Sequence, residues 1–265
     1  MPDVIRLEYR NVTMRFAQAG SAALTAVQDV SFAVGDGEVV SLIGPSGCGK
    51  STLLNIGSGL TAPSEGRAFV DGERVEGPNA HVAFMLQKDL LLPWRTVAEN
   101  VMLGVEIQGV AAPERRRRAQ ALLENLKLED FSGHYPHQLS GGMRQRVALA
   151  RTLAVDPSVL LLDEPFSAVD AQTRMVLQRE LAQTLKRAGK TALLITHDLL
   201  EAVTLSDRVL VMSRRPGRII DEIIVDIPDR DDPLRRRNQP RVNDIIGRLM
   251  ERLDIGAPDG ERVPA

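Results

Sequence analysis

"GPSGCGKST", residues 44–52, sits between an apolar run that reads as a strand, "VVSLI" (39–43), and a run that reads as a helix starting near Gly49, "KSTLLNIGSG" (50–59). Gly44 to Ser51 fit the phosphate-loop pattern G-x-x-x-x-G-K-[ST], in the strand-to-helix context that the pattern needs. Glycines let the backbone wrap phosphates, Lys50 reaches β- and γ-oxygens, and the Ser51 hydroxyl is a Mg²⁺ ligand. Gly44, Pro45, Ser46, Gly47, Cys48, Gly49, Lys50, Ser51 and Thr52 are therefore the candidate nucleotide-binding residues. Cys48 stands inside the loop, so a bulky adduct on its thiol is expected to obstruct the β-phosphate, and bound nucleotide to protect it.

Working outward, "SVLLLD" (158–163), "TALLIT" (191–196) and "DRVLVMS" (207–213) read as buried strands. A helix between the first two carries Leu177, Leu181 and Leu185 on one face and stops at Gly189. Uninterrupted apolar strands joined through a helix predict a parallel sheet covered on both sides. Upstream, residues 1–43 alternate apolar and polar positions in short runs, with a turn at Gly35, Asp36 and Gly37. "GRAFVDGERVEG" (66–77) reads as a hairpin about Asp71 and Gly72. From about residue 88 to 155 the pattern is helical. Pro113 suits the first turn of a helix whose Ala119, Leu122, Leu123 and Leu126 form one stripe, and a second helix begins after Ser140. From about residue 226 the text is rich in Pro and Arg, and it ends in a short helix, "RVNDIIGRLMERL" (241–253). The expected fold is α/β, a P-loop NTPase core with an N-terminal antiparallel β subdomain and an inserted α-helical subdomain at about 88–155. This unit is expected to span 1–229, leaving 230–265 as a short tail rather than a separate domain.

Composition narrows the class. The 265 residues are 43% hydrophobic and 26% charged, with a net charge of −2. Such a chain buries a sizeable core and exerts no global attraction on nucleic acid or anionic lipid. One cysteine forms no internal disulfide, which points to a reducing cytoplasm. "MPDVIRLEYR" carries charge from residue 3 and is no signal peptide. A membrane helix needs roughly 20 mostly apolar residues, and "STLLNIGSGLTAPS" (51–64) is broken by Gly, Pro and Ser. Any membrane role is expected to come through a partner.

"VLLLDEP" (159–165) supplies a second half to the phosphate site. Its strand ends in Asp163, which puts a carboxylate at the sheet's carboxyl edge where Mg²⁺ needs an anion reached through water. Glu164 follows and can orient or deprotonate an attacking water. The adjacent pair favours a hydrolase over a kinase. A second anion cradle then appears in "LSGGMRQRVALAR" (139–151): Ser140, Gly141 and Gly142 at a helix start present unpaired N–H groups. One nucleotide has no evident need of two cradles.

"LSGGMRQRVALAR" resembles the signature of ATP-binding-cassette ATPases, and the companion motifs fall in order: Gln87 after a strand, "SAVD" (167–170) after the acidic pair, and His197 at a strand end. The resemblance covers about residues 5–225. It implies that Gln87 senses Mg²⁺ and water, that Asp170 crosses a subunit interface, and that His197 contacts the γ-phosphate. Phe16 aligns best with the aromatic that stacks on adenine, with Tyr9 as a second candidate. In that family two cassettes pair head to tail, so Ser140, Gly141, Gly142 and Asp170 are expected to act on the partner's ATP in a homodimer. The second cradle then serves the neighbour. Met143 and Val169 depart from the family's usual Gln and Leu, and closure is expected to survive because no backbone donor is lost.

One cassette without spanning helices resembles the separate ATPase subunit of a bacterial importer, peripheral on the cytoplasmic face of the inner membrane through permease subunits, with a periplasmic solute-binding protein as an indirect partner. Sugar importers carry an extra regulatory domain of about a hundred residues, which this chain lacks room for after its core. "KDLLLPWRTVAENVMLG" (88–104), "LSGGM", "DEPFSAVDAQTR" and "VLVMSRRPGRI" together resemble the nitrate/sulfonate/taurine importer group. Trp94 then lies where the permease's coupling helix docks; its alternative is core packing. "ERRRR" (114–118) spreads its charge around a helix and has no interleaved aromatics, so no direct nucleic-acid partner is expected. The competing reading is a soluble cassette acting on nucleic acid or ribosomes. His134 and His137 read as loop histidines rather than a metal pair.

Overall fold

The computed structural model describes residues 4–17, 23–167 and 169–254. Ala168 of "SAVD" and the tail residues 255–265 lie outside them. The chain opens with β1 (Ile5–Phe16), β2 (Leu24–Gly35) and β3 (Val39–Ile43), then α1 (Lys50–Gly57). β4 (Glu65–Val70) and β5 (Glu73–Arg74) close on the Asp71–Gly72 turn, and β6 (Val82–Met85) follows. Helices α2 (Val97–Ile107), α3 (Ala112–Asn125) and α4 (Gly141–Ala154) fill the helical stretch. Next come β7 (Val159–Asp163), α5 (Ala171–Arg187), β8 (Thr191–Ile195), α6 (Leu199–Leu205), β9 (Arg208–Met212) and β10 (Ile219–Ile224). Two helices, α7 (Pro233–Arg237) and α8 (Pro240–Arg252), end the described chain.

The six-stranded sheet has the order β10-β9-β3-β8-β7-β6, parallel except for the antiparallel edge strand β10. Its central parallel strands β3, β7 and β8 are apolar on both faces because both faces are covered. Leu160, Leu162, Ala192 and Leu194 pack into a cluster with α2 to α5. Alternate residues Val159, Leu161, Leu193 and Ile195 pack against α1 and the antiparallel sheet β2-β1-β4-β5. No helix among the described residues is long and apolar enough to cross a membrane.

The structure adds elements that the sequence reading lacked, the short helices α6 and α7 among them. The helical stretch holds α2 as well as the two helices foreseen; Thr96 and Glu99 form a reciprocal capping box at its start, a T-x-x-E signal present in the text. β10 was also missed, because "IIDEII" is only half-buried at an edge. The tail helix α8 buries Val242, Ile245 and Leu249 in a cluster with Val203 of α6 and Val209 and Val211 of β9.

Candidate functional site

The phosphate loop lies at the carboxyl end of β3, the strand flanked by β8 and β9. Gly49 caps α1 with φ of 103°, and a Cβ there would come within 2.3 Å of a Val27 methyl. Only glycine meets both demands. Lys50 is buried to 8% exposure and its Nζ donates to the carbonyls of Gly44 at 2.8 Å and Pro45 at 3.1 Å. A cavity of about 300 Å³ opens above the loop, lined by Phe16, Leu24, Ala26, Ser46, Gly47, Gly49, Lys50, Ser51, Thr52, Glu164 and Arg215.

Phe16, half-exposed at the end of β1, stands in this cavity wall. Tyr9 does not: it is 1% exposed, stacks on Phe32 at 4.6 Å and donates to the Leu53 carbonyl at 2.8 Å. Burial pushes its phenol well above the ordinary range. Tyr9 is core, so Phe16 alone keeps the stacking assignment. Cys48 is also corrected in part. The residue is 1% exposed and packs in the apolar cluster beneath the loop, while its N–H donates to the Pro45 carbonyl at 3.3 Å. Cys48 is not among the residues lining the cavity and its Sγ lies under the loop, 3.9 Å from the Lys50 Nζ, so rapid alkylation governed by nucleotide is no longer expected.

The two carboxylates take different places. Asp163, the last residue of β7, is half-buried, and burial pushes its carboxyl upward. The Ser51 hydroxyl and Lys50 pull it back, while neighbouring Glu164 adds to the push. Glu164 follows with φ of 45°, a left-handed conformation that L-residues rarely adopt, and its N–H donates to Ile195 at 3.0 Å. Two side chains meet the Glu164 carboxylate. Gln87 Nε2 lies 3.3 Å from Glu164 Oε2 and 3.3 Å from Ser167 Oγ. His197 Nδ1 lies 3.2 Å from the same Glu164 oxygen.

Ser140, Gly141, Gly142 and Asp170 do not line the cavity that holds Lys50. Ser140 caps α4 by accepting from the Met143 N–H at 3.3 Å, and Asp170 caps α5 by accepting from Gln172 and Thr173. The first N–H groups of a helix have no acceptor inside it, so those of Gly141 and Gly142 have no intrahelical partner. Met143 packs against the helical core.

Sequence reasoning missed the grip of α4 on the segment after Gln87. Arg151 donates to the carbonyls of Asp89 at 2.6 Å and Leu90 at 2.8 Å, Arg144 pairs with Asp89 at 3.1 Å, and Gln145 reaches the Gln87 carbonyl at 3.3 Å. These residues sit in the quoted motif, but nothing local says which loop they hold. Trp94 is 71% exposed, beside a groove lined by Arg95, Glu99, Met102, Glu106 and Arg116. Core packing is thereby excluded for it. Within "ERRRR", Glu114 pairs with Arg117 and Arg118, and Arg115 approaches Glu106 at 3.8 Å. His134 leans on Phe131, and His137 stacks on Tyr135.

The family model described as ABC transporter matches residues 27–167. Taurine import ATP-binding protein TauB of Burkholderia pseudomallei is 46% identical over 235 residues, 87% of this chain and 90% of that protein. An ABC transporter ATP-binding protein of Methanocaldococcus jannaschii, MJ0412, is 45% identical over 223 residues, 84% of this chain and 83% of its own. The dimeric structure of a post-hydrolysis state of the ATP-binding cassette MJ0796 bound to ADP and Pi superposes with a TM-score of 0.74 at 33% identity, covering 83% of this chain and 98% of that one. Together with a phosphate loop, an acidic strand end and a signature helix in these positions, the matches show that the chain belongs to the ABC transporter family, as one of its ATP-binding cassettes.

Proposed function

We propose that the chain is the ATP-hydrolysing subunit of a bacterial importer for taurine, a sulfonate, nitrate or a related small solute. It works as a head-to-tail homodimer on the cytoplasmic face of the inner membrane, beneath separate permease subunits fed by a periplasmic binding protein. The relatives named for taurine import and the dimeric cassette structure support this reading over a soluble cassette acting on nucleic acid or ribosomes.

The observation that carries the catalytic part is the convergence of Gln87 and His197 on one Glu164 oxygen at the edge of the phosphate-loop cavity. Lys50 exchanges its loop carbonyls for β- and γ-oxygens, and the loop N–H groups hold the rest of the polyphosphate. Phe16 stacks on adenine. Glu164 takes the proton of a water that attacks the γ-phosphorus; the bond to the bridging β,γ oxygen breaks and ADP leaves. Gln87 positions that water, and His197 lies at the γ-phosphate. Ser51 and Asp163 suit Mg²⁺, because the half-buried, crowded Asp163 carboxyl beside a hydroxyl is a site that a hard cation relieves. When bound, the ion neutralises β- and γ-oxygen charge. Exposed Trp94 and its groove are where a permease helix docks.

Glu164→Gln keeps the shape and loses the basicity. Steady-state ATPase should fall at least about a hundredfold, while MgATP affinity stays near that of the parent and an ATP-dependent dimer becomes visible by size exclusion. Normal turnover in the variant would remove Glu164 from its role. Recovery from detergent-solubilised membranes with an integral subunit tests the transport part, against nucleic-acid stimulation without membrane association.

A further inference from the structure

The loop 213–218, "SRRPGR", was read from sequence only as a mark of kinship, yet it is docked on the phosphate loop at three points. Met212, at its base, lies beneath Gly44, where a Cβ would come within 2.9 Å of the Met212 Cβ. Gly217 lies so close to Cys48 that a Cβ would be 2.0 Å from the Cys48 carbonyl oxygen. Between them, Arg215 donates from Nε at 3.0 Å and from Nη2 at 2.8 Å to the Gly47 carbonyl. The loop is also stitched to β2: Gly217 N–H donates to Ala26, Gln28 N–H donates to Gly217, and Arg218 reaches the Gln28 side chain at 2.8 Å.

This places a guanidinium in the wall of the nucleotide cavity. Among the residues lining that cavity, Lys50 and Arg215 are the two cations, against one carboxylate, Glu164. Their situations are parallel, since both rest on carbonyls of the same loop, Lys50 on Gly44 and Pro45 and Arg215 on Gly47. A loop that turns N–H groups toward an anion turns some carbonyls outward, and those carbonyls hold a cation at the rim. Lys50 has only three donors, whereas a polyphosphate carries several charges. Arg215 spends two of its five N–H donors on Gly47, and its planar fork matches phosphate oxygens.

We propose that Arg215 is a second phosphate-binding cation of this site, held at the rim by the 213–218 loop and contacting the polyphosphate of bound ATP or ADP. The proposal rests on the nucleotide-site reading above and adds to it a residue outside the phosphate loop, the acidic pair and the signature.

The test measures MgATP and MgADP affinity of the full chain, by competition against a fluorescent ATP analogue, at low and high salt. Arg215→Ala should weaken both nucleotides about tenfold at low salt, and the loss should shrink as salt screens the contact. Arg215→Lys should recover to within about threefold of the parent, since it restores the charge without the fork. Arg214→Ala, an exposed neighbour, should stay within about twofold. Thermal melting confirms that each variant is folded. Unchanged affinity in Arg215→Ala overturns the proposal. So does a salt-independent loss that Arg215→Lys fails to rescue, because that marks a residue that only shapes the loop, and so does an equal loss in Arg214→Ala. Lys50→Ala separates the two readings: if it also leaves affinity intact, the phosphate-loop assignment itself fails.

Discussion

Glu201 shows how one buried side chain sets a pH response in the helix that follows His197. It lies in α6, four residues after His197, and is 4% exposed. Burial first, and the charge of Asp198 second, push its carboxyl from 4.5 up to about 7, against hydrogen bonds from Thr196 and Gln178 and the nearby charge of Arg174. Between those two values the native state holds a proton that the unfolded chain has released. Stability contributed here is therefore greatest below about pH 4.5, falls as pH rises to about 7, and is flat beyond. Glu201→Gln keeps the Gln178 bond in reach and removes the titration. Its melting temperature should exceed the parent's at pH 8, by the equivalent of at most about 3 kcal/mol, and the gap should close toward pH 5. A gap that does not change with pH would show that Glu201 is not the titrating group. Residues of this kind are illegible in sequence, because a Glu in "HDLLEAV" is buried only by what α5 and the sheet do to it.

Helix α4 joins two tasks in one rigid element. Its first turn carries Ser140, Gly141 and Gly142; its middle and end hold the Gln87 segment through Gln145, Arg144 and Arg151. Arg146 adds an ion pair to Glu180 of α5 at 3.3 Å, the helix that Asp170 caps. A shift of α4 therefore displaces Gln87 relative to Glu164. Arg151→Ala should lower kcat by about tenfold while leaving MgATP affinity near normal, because the phosphate loop is untouched. Steady-state kinetics beside equilibrium binding checks this, and a rise in Kd with unchanged kcat would contradict it. At this scale much was readable. "VVSLI", "VLLLD" and "TALLI" declare buried parallel strands by having no polar alternation, and the phosphate loop declares itself by spacing. The helix Val97–Ile107 carried its capping box in plain text, three residues after Pro93, and was still missed, since residues 88–155 read as one helical stretch without Thr96 marking a start. The burial of the Cys48 side chain was beyond reach, because it shares its apolar cluster with Met212, more than 160 residues later.

For the whole molecule, the two cradles pose a question of assembly. Lys50→Ala and Ser140→Arg should each inactivate a homodimer. If the signature served its own chain, a mixed dimer would have no site with both parts intact. If it serves the partner, the phosphate loop of the Ser140 variant meets the unaltered signature of the Lys50 variant, and one site per heterodimer is whole. Mixing differentially tagged variants should therefore restore nucleotide occlusion, with hydrolysis measured alongside; absence of both in verified heterodimers would leave the trans assignment unsupported. The sheet order carries a further consequence, for the time at which the protein first becomes able to act. β3 carries the phosphate loop, yet its neighbours are the late strands β8 and β9, with Val39 beside Ala192 and Ile43 beside Val211. On the ribosome the loop emerges roughly 150 residues ahead of the strands that fix its shape, a delay of about 10–30 s at ordinary rates of synthesis. During that interval β3 is an apolar segment without its flanking strands, and the nascent chain has no formed site with which to capture nucleotide. Competence waits until β9 and the loop that follows it close over residues made long before.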